Sequence, residues 1–279
     1  MSSAVRVKLL PLFGILVAIG CGGAKPQNAS ATDQTGDRGG TVPAAERSES
    51  RSWDEGVSSH AGGSTGGSST VTGSITFTGT VPAQEKIRMD ADPQCALQHK
   101  DAVTKQEVVV NPNGTLRNVF VYVKDGLQGK TFPAAGTAAT INQQGCMYEP
   151  HVLGVQVNQP IEIVNNDQTL HNVNCKPTKS KPFNIAQPIK GMKSSKSFTA
   201  PEVMVKCACN VHPWMASYIG VVEHPFFSVS GDDGTFTLAG LPAGQYTIEA
   251  WHEKYGAKTQ TVSLGDGEKK TVDFEFTPQ

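Results

Sequence analysis

Aromatic side chains are scarce in this chain, 7% of 279 residues. Set against 29 Gly and 17 Pro, that scarcity points to many turns and a long polar spacer. An excess of either charge is also missing. The formal net charge is -1 and no basic block occurs, which argues against nucleic acid as a partner. The apolar run Leu9–Ile19 is too short to cross a bilayer as a helix, which takes about 20 residues. Helical patterning is missing apart from Asp90–Lys100, where one short helix fits. No nucleophile–base pair and no pair of acids stands out, so the chain does not read as an enzyme.

What is present begins with an export pattern. Arg6 and Lys8 precede the apolar run, the order of a signal peptide. The run ends Val17-Ala18-Ile19-Gly20-Cys21. Small residues before a Cys resemble a bacterial lipobox, although Ala18 stands where Leu is usual. Residues 1–21 are therefore expected to be a signal peptide with Cys21 as the acylated residue; the alternative is an ordinary signal with a chance Cys. Residues 22–70 have almost no large apolar side chains and read as a disordered linker, unable to offset the entropy of ordering. A coil of about 50 residues spans roughly 40 Å, enough to hold a folded part above a membrane reached through the lipid anchor. The expected location is the cell envelope, periplasmic or cell-surface.

From Val71 onward the pattern is β. T-V-T-G-S-I-T-F-T-G alternates with period two. Glu107–Val110 and Leu116–Lys124 read as strands around an Asn113-Gly114 turn. The near-continuous apolar run N-V-F-V-Y-V implies cover on both faces. Ala138–Asn142, Val152–Val157 and Pro160–Asp167 follow as strands. Lys176–Lys196, rich in Pro and Lys, reads as a long loop. Val203–Cys207 and Tyr218–Val222 are strands again. After His224-Pro225 come further short strands, with Asp233-Gly234 as a hairpin signal.

The most informative stretch is V-K-C-A-C-N-V-H-P-W-M, between two of these strands. It spaces Cys209, His212 and Met215 as Cys-x2-His-x2-Met. His171 lies upstream in D-Q-T-L-H-N-V. Two imidazoles, a thiolate and a thioether are the donor set of a blue-copper site. Cys207 offers an alternative sulfur at Cys-x4-His; Cys209 is favoured because its loop runs on into His-Pro-aromatic-Met. His151 starts a strand and reads as structural; His99, His224 and His252 have no partner at ligand spacing.

C-N-V-H-P-W-M is similar to the short ligand loop of amicyanin, and V-Q-V-N-Q-P-I-E-I-V-N-N-D with L-H-N-V resembles the strand pair carrying the first His in cupredoxins. Over residues 139–223 this resemblance implies a Greek-key sandwich and a single type 1 copper ion bound by His171, Cys209, His212 and Met215. It also implies that Asn172 ties the two ligand loops together, and that Pro213, Trp214 and Ala216 form an apolar patch through which the His212 ring edge passes electrons. G-T-F-T-L-A-G-L-P-A-G-Q-Y-T-I resembles the carboxypeptidase regulatory-like (transthyretin-like) β-sandwich, over 224–279. That type of domain begins with a strand like T-V-T-G-S-I-T-F-T-G. The N-terminal β region, 71–138, is therefore expected to pair with it. The copper sandwich is then inserted into the second one, or the two share a core. The fold class is all-β.

Five cysteines remain besides Cys21, an odd number that suits two bridges and one metal thiolate. Residues two apart in a strand share a face, so Cys175 and Cys207 are candidates to meet beneath the copper, against the alternative of two unpaired core thiols. Cys95 and Cys146 are the other candidate bridge. The expected function is one-electron transfer between redox protein partners. The alternatives are copper trafficking, or an adhesive or carbohydrate-binding envelope module.

Overall fold

The structure is a computed structural model that describes residues 66–278. The expected signal peptide, Cys21 and nearly all of the linker lie outside the described residues. The described chain is all-β, with one short helix.

The strands form two sandwiches. An outer one begins with β1 (Ser69–Phe77) and β2 (Phe120–Asp125), whose connection carries the helix α1 (Pro93–Ala96). The chain then builds a central sandwich: β3 (Ala139–Gln144), β4 (Met147–Glu149), β5 (Val152–Gln156), β6 (Ile161–Asn165), β7 (His171–Cys175), β8 (Phe183–Gln187), β9 (Lys193–Lys196), β10 (Glu202–Ala208) and β11 (Ala216–Val222). It returns to the outer sandwich with β12 (Phe227–Val229), β13 (Thr235–Leu241), β14 (Gly244–His252), β15 (Gly256–Leu264), β16 (Lys269–Thr271) and β17 (Phe274–Phe276).

The central sandwich has one sheet of order β4-β3-β6-β9 and one of order β5-β11-β10-β7-β8. In the outer sandwich, β1 pairs antiparallel with β13 and parallel with β16 and β17. The facing sheet runs β12-β2-β14-β15. Strands before and after the central sandwich thus share sheets, so the central one is an insertion between β2 and β12.

β2 explains how the two are joined. Val119, Val121 and Val123 enter the outer core with Phe226, Ile248 and Phe274. On the opposite face, Phe120 and Tyr122 pack with Val152 and Val222 of the central sandwich. Alternation along one strand therefore feeds two cores, which is why N-V-F-V-Y-V has no polar face. The Phe120 ring packs on Gly220, and the Phe227 and Phe120 rings on Gly154; the two glycines are register partners in β11 and β5. An ion pair and a ring contact cross the same seam: His151 pairs with Glu253, and the Tyr218 and Trp251 ring centroids lie 5.4 Å apart.

Two segments differ from the sequence reading. The supposed loop 176–196 contains β8, which pairs β7, and β9, which pairs β6. β9 is a mostly exposed polar edge strand with no apolar alternation, while β8 alternates over only five residues, with Phe183 and Ile185 half-buried against the central core. Glu107–Val110 forms only an isolated bridge, Val110 to Leu116, around the Asn113-Gly114 turn. The strand that follows begins only at Phe120, because Asn118 takes a left-handed φ of 61° and breaks the ladder.

Candidate metal centre

The centre lies in the loops that flank β7, β10 and β11. His171 is the first residue of β7, at the end of the loop that leaves β6. That loop is held by buried amides. Asn165 Nδ2 donates to the carbonyls of Thr169 (3.0 Å) and Gln187 (2.8 Å), and Asn165 Oδ1 accepts from the Asp167 amide (2.9 Å). Cys209, His212 and Met215 come from the turn between β10 and β11. Two backbone bonds close it: Cys209 N–H donates to the Met215 carbonyl (3.1 Å) and Met215 N–H to the His212 carbonyl (3.0 Å). Met215 is fully buried, in the same apolar cluster as Cys209.

These loops bring Cys209 Sγ and one ring nitrogen each of His171 and His212 within 4.8 Å of one another. The two Nδ1 atoms face each other at 2.9 Å, and His212 Nδ1 is 3.7 Å from Cys209 Sγ. An ion bound at about 2.0 Å to nitrogen and about 2.3 Å to sulfur needs donors roughly 3–4 Å apart, so the spacing fits one metal. All three residues are buried.

Each imidazole has its outer nitrogen on a carboxylate. His171 Nε2 donates to Asp167 Oδ2 at 2.8 Å, and His212 Nε2 to Asp92 Oδ2 at 3.0 Å. Such bonds fix the tautomer and turn the two Nδ1 atoms toward each other. Asp167 is itself held by the amides of Gly145 (2.8 Å) and Cys146 (2.7 Å). Burial pushes the Asp167 and Asp92 carboxyls up, but the bonds they accept outweigh it and hold both below the usual range. Burial would lower the His171 pKa; Asp167 and Cys209 outweigh it and raise it to about 9. For His212, burial again lowers it while Cys209 and Asp92 bring it above the ordinary value. Burial raises the Cys209 thiol, yet the two imidazoles and the amides of Asn172 and His212 draw it down to about 5. A thiolate is therefore ready at neutral pH.

Cys209 is the free cysteine among the described residues. Cys175 and Cys207, register partners on β7 and β10, form a disulfide with Cα atoms 4.1 Å apart. Cys95 and Cys146 form another, with Cα atoms 5.5 Å apart. Asn172 Oδ1 accepts from the Asn210 amide at 2.8 Å, joining the β7 end to the Cys209 loop. Its Nδ2 donates to Asn184 Oδ1 at 2.7 Å.

The His212 ring edge departs from expectation. It does not emerge through a patch: His212 is 1% exposed, because Asp92 covers Nε2. Pro213 is exposed and Trp214 half-buried beside it, the Trp214 ring 5.2 Å from the His212 ring and its Nε1 donating to the Cys146 carbonyl at 2.9 Å. Sequence reasoning missed both carboxylates. Asp167 could have been found as a carboxyl four residues before His171. Asp92, 120 residues from His212, gave no local signal of that contact.

Residues 223–277 match the family model of the carboxypeptidase regulatory-like domain. No curated protein matches the chain. Among solved structures, a copper-containing nitrite reductase from Thermus scotoductus SA-01 is 24% identical over 34% of this chain and 24% of its own, with a TM-score of 0.29. The match thus spans about a quarter of that enzyme. A purple cupredoxin from Nitrosopumilus maritimus is 22% identical over 30% of this chain and 98% of its own, TM-score 0.26. A methionine-to-alanine mutant of amicyanin, in its Cu(I) form, is 21% identical over 36% of this chain and 97% of its own, TM-score 0.27. The family match thus covers the returning strands of the outer sandwich, while the likenesses to solved structures cover about a third of the chain. The buried donors, two imidazoles and a thiolate with a buried Met at the loop end, suit copper.

Proposed function

We propose that this is a type 1 copper protein carrying single electrons between redox proteins in the cell envelope, held there by a lipid on Cys21. The observation that carries this reading is the convergence of His171, His212 and the low-pKa Cys209 on one buried point. His171, Cys209 and His212 would hold the ion, with Met215 as the weak axial donor. Bound copper supplies a one-electron Cu(II)/Cu(I) couple.

The protein's part is to keep the donors still. The Cys175–Cys207 bridge ties β7 to β10, the strands from which His171 and the Cys209 loop extend. Asn172, Asp167 and the two loop bonds restrict the rest. A site held in one geometry changes little when an electron moves, which favours transfer over catalysis. With the His212 edge covered, the half-buried Trp214 offers a π-system nearer the surface, beside the exposed Pro213. The test is to add Cu(II) to purified protein. An intense visible charge-transfer band with reversible one-electron voltammetry is expected. Tight, colourless Cu(I) binding without a reversible couple would replace electron transfer by copper delivery. Absence of binding would end the copper reading.

A further inference from the structure

The connection between β1 and β2 leaves its own sandwich. Its two legs are bridged at Lys86 and Thr104, and Ile87 N–H donates to the Val103 carbonyl at 2.8 Å. The loop they enclose docks on the central sandwich. Met89 is buried in the central core. His99 Nε2 bonds the Gly145 carbonyl at 2.7 Å, and Cys95 is bridged to Cys146. At the tip, Asp92 caps α1, with Oδ1 accepting from the Gln94 amide at 2.9 Å. Its Oδ2 accepts from Thr169 Oγ1 at 2.8 Å and from His212 Nε2 at 3.0 Å.

We propose that Asp92 is a positioning residue of the copper centre, delivered by the outer sandwich to hold His212 with Nδ1 inward and to close its ring edge to solvent. The proposal rests on the copper reading above.

Three features support it. First, the carboxylate is held independently of His212: its amide and hydroxyl partners and the nearby Cys95 bridge leave it little freedom. Second, Cys146 joins the parts. Its N–H donates to Asp167, which backs His171; its carbonyl accepts from Trp214, which lies against His212; its sulfur binds Cys95, three residues from Asp92. Both carboxylates that aim the imidazoles are thus pinned to one turn between β3 and β4. Third, a negative group bonded to a ligand's outer nitrogen makes that ligand more basic and favours Cu(II) over Cu(I).

The experiment compares wild type with D92N, D92A and the C95S/C146S pair, which keeps the carboxylate but frees its turn. D90N serves as a charge control, since Asp90 is an exposed carboxylate two residues from Asp92. Loss of such an outer partner typically weakens metal binding 10–100-fold, and that loss is expected for D92A. In D92N the Cu(II)/Cu(I) equilibrium is expected to move about tenfold toward Cu(I), a rise of about 59 mV, while D90N moves little. NMR of metal-free wild type should show a slowly exchanging His212 Nε2–H, which is lost in D92A and in the C95S/C146S pair. Unchanged exchange and affinity in D92A, or an equal potential shift in D90N, overturns the proposal. A wild type that binds no copper sinks the copper reading instead, and the metal-free exchange still decides whether Asp92 holds the ring. Circular dichroism confirms that each variant is folded, and D92N stands in should D92A unfold.

Discussion

The seam between the sandwiches allows a quantitative test at Gly220→Ala. A Cβ there would stand 2.5 Å from two ring carbons of Phe120 and 2.8 Å from a third. Neither side yields easily. β11 is hydrogen-bonded on both edges, by β5 and β10. Phe120 is fully buried on β2, which is held between β12 and β14. Overpacking of a core costs about 1–3 kcal/mol, and a contact this short belongs in the upper part of that range. Replacing Gly by Ala restricts the unfolded chain and returns about 0.4–1 kcal/mol. A net loss of about 1–2 kcal/mol is expected, or a Tm lower by about 2–8 °C. Urea denaturation should show a lower midpoint with an unchanged slope. Truncating the ring removes the clash. Phe120→Ala alone should cost about 3–5 kcal/mol, and adding Gly220→Ala in that background should cost nothing further. If Gly220→Ala matches wild type, or costs as much with Phe120 absent as with it present, the seam is not packed as described.

Cys209→Ser should abolish the visible copper band with little change in the melting profile, whereas Cys207→Ala should leave a coloured site; circular dichroism and absorption spectra check both. Replacing Cys175 and Cys207 together by Ala removes a bridge across 32 residues and should cost about 3–4 kcal/mol in denaturant titrations. Acid should destabilise the fold through two buried histidines, His224 and His252, outside the proposed metal centre. His224 donates from Nε2 to the Val123 carbonyl (2.8 Å) and accepts the Phe226 amide at Nδ1 (3.2 Å), so a second proton has no place. Burial lowers His224 and His252 from 6.5 to about 4. Because the folded pKa is depressed, the unfolded state binds protons first. Stability is then lost as pH falls from about 6.5 to about 4, by about 2 kcal/mol per histidine at pH 5. His224→Gln should flatten the pH dependence of the urea midpoint, and an unchanged slope would refute the assignment.

Chemistry carried by short-range pattern was legible before any coordinates. Cys-x2-His-x2-Met marks Cys209, His212 and Met215 as candidate donors because a tight turn gathers residues a few positions apart. The period-two runs named most strands because a half-buried sheet demands alternation. β9 stayed hidden for the converse reason, since an edge strand with little buried surface needs no apolar face, and in β8 only Phe183 and Ile185 mark the period.

The sequence alone determined the donor types, the all-β class and the unpolarised strand β2, since each follows from local side-chain chemistry. Only the tertiary structure decided that Asp92 reaches His212 from the other sandwich and that Cys175 and Cys207 join, leaving Cys209 as the free thiol. It also decided that the His212 edge is covered. Those outcomes depend on which segments the folded sheets bring together across long stretches of chain. A carboxylate carries no mark of the partner it will meet.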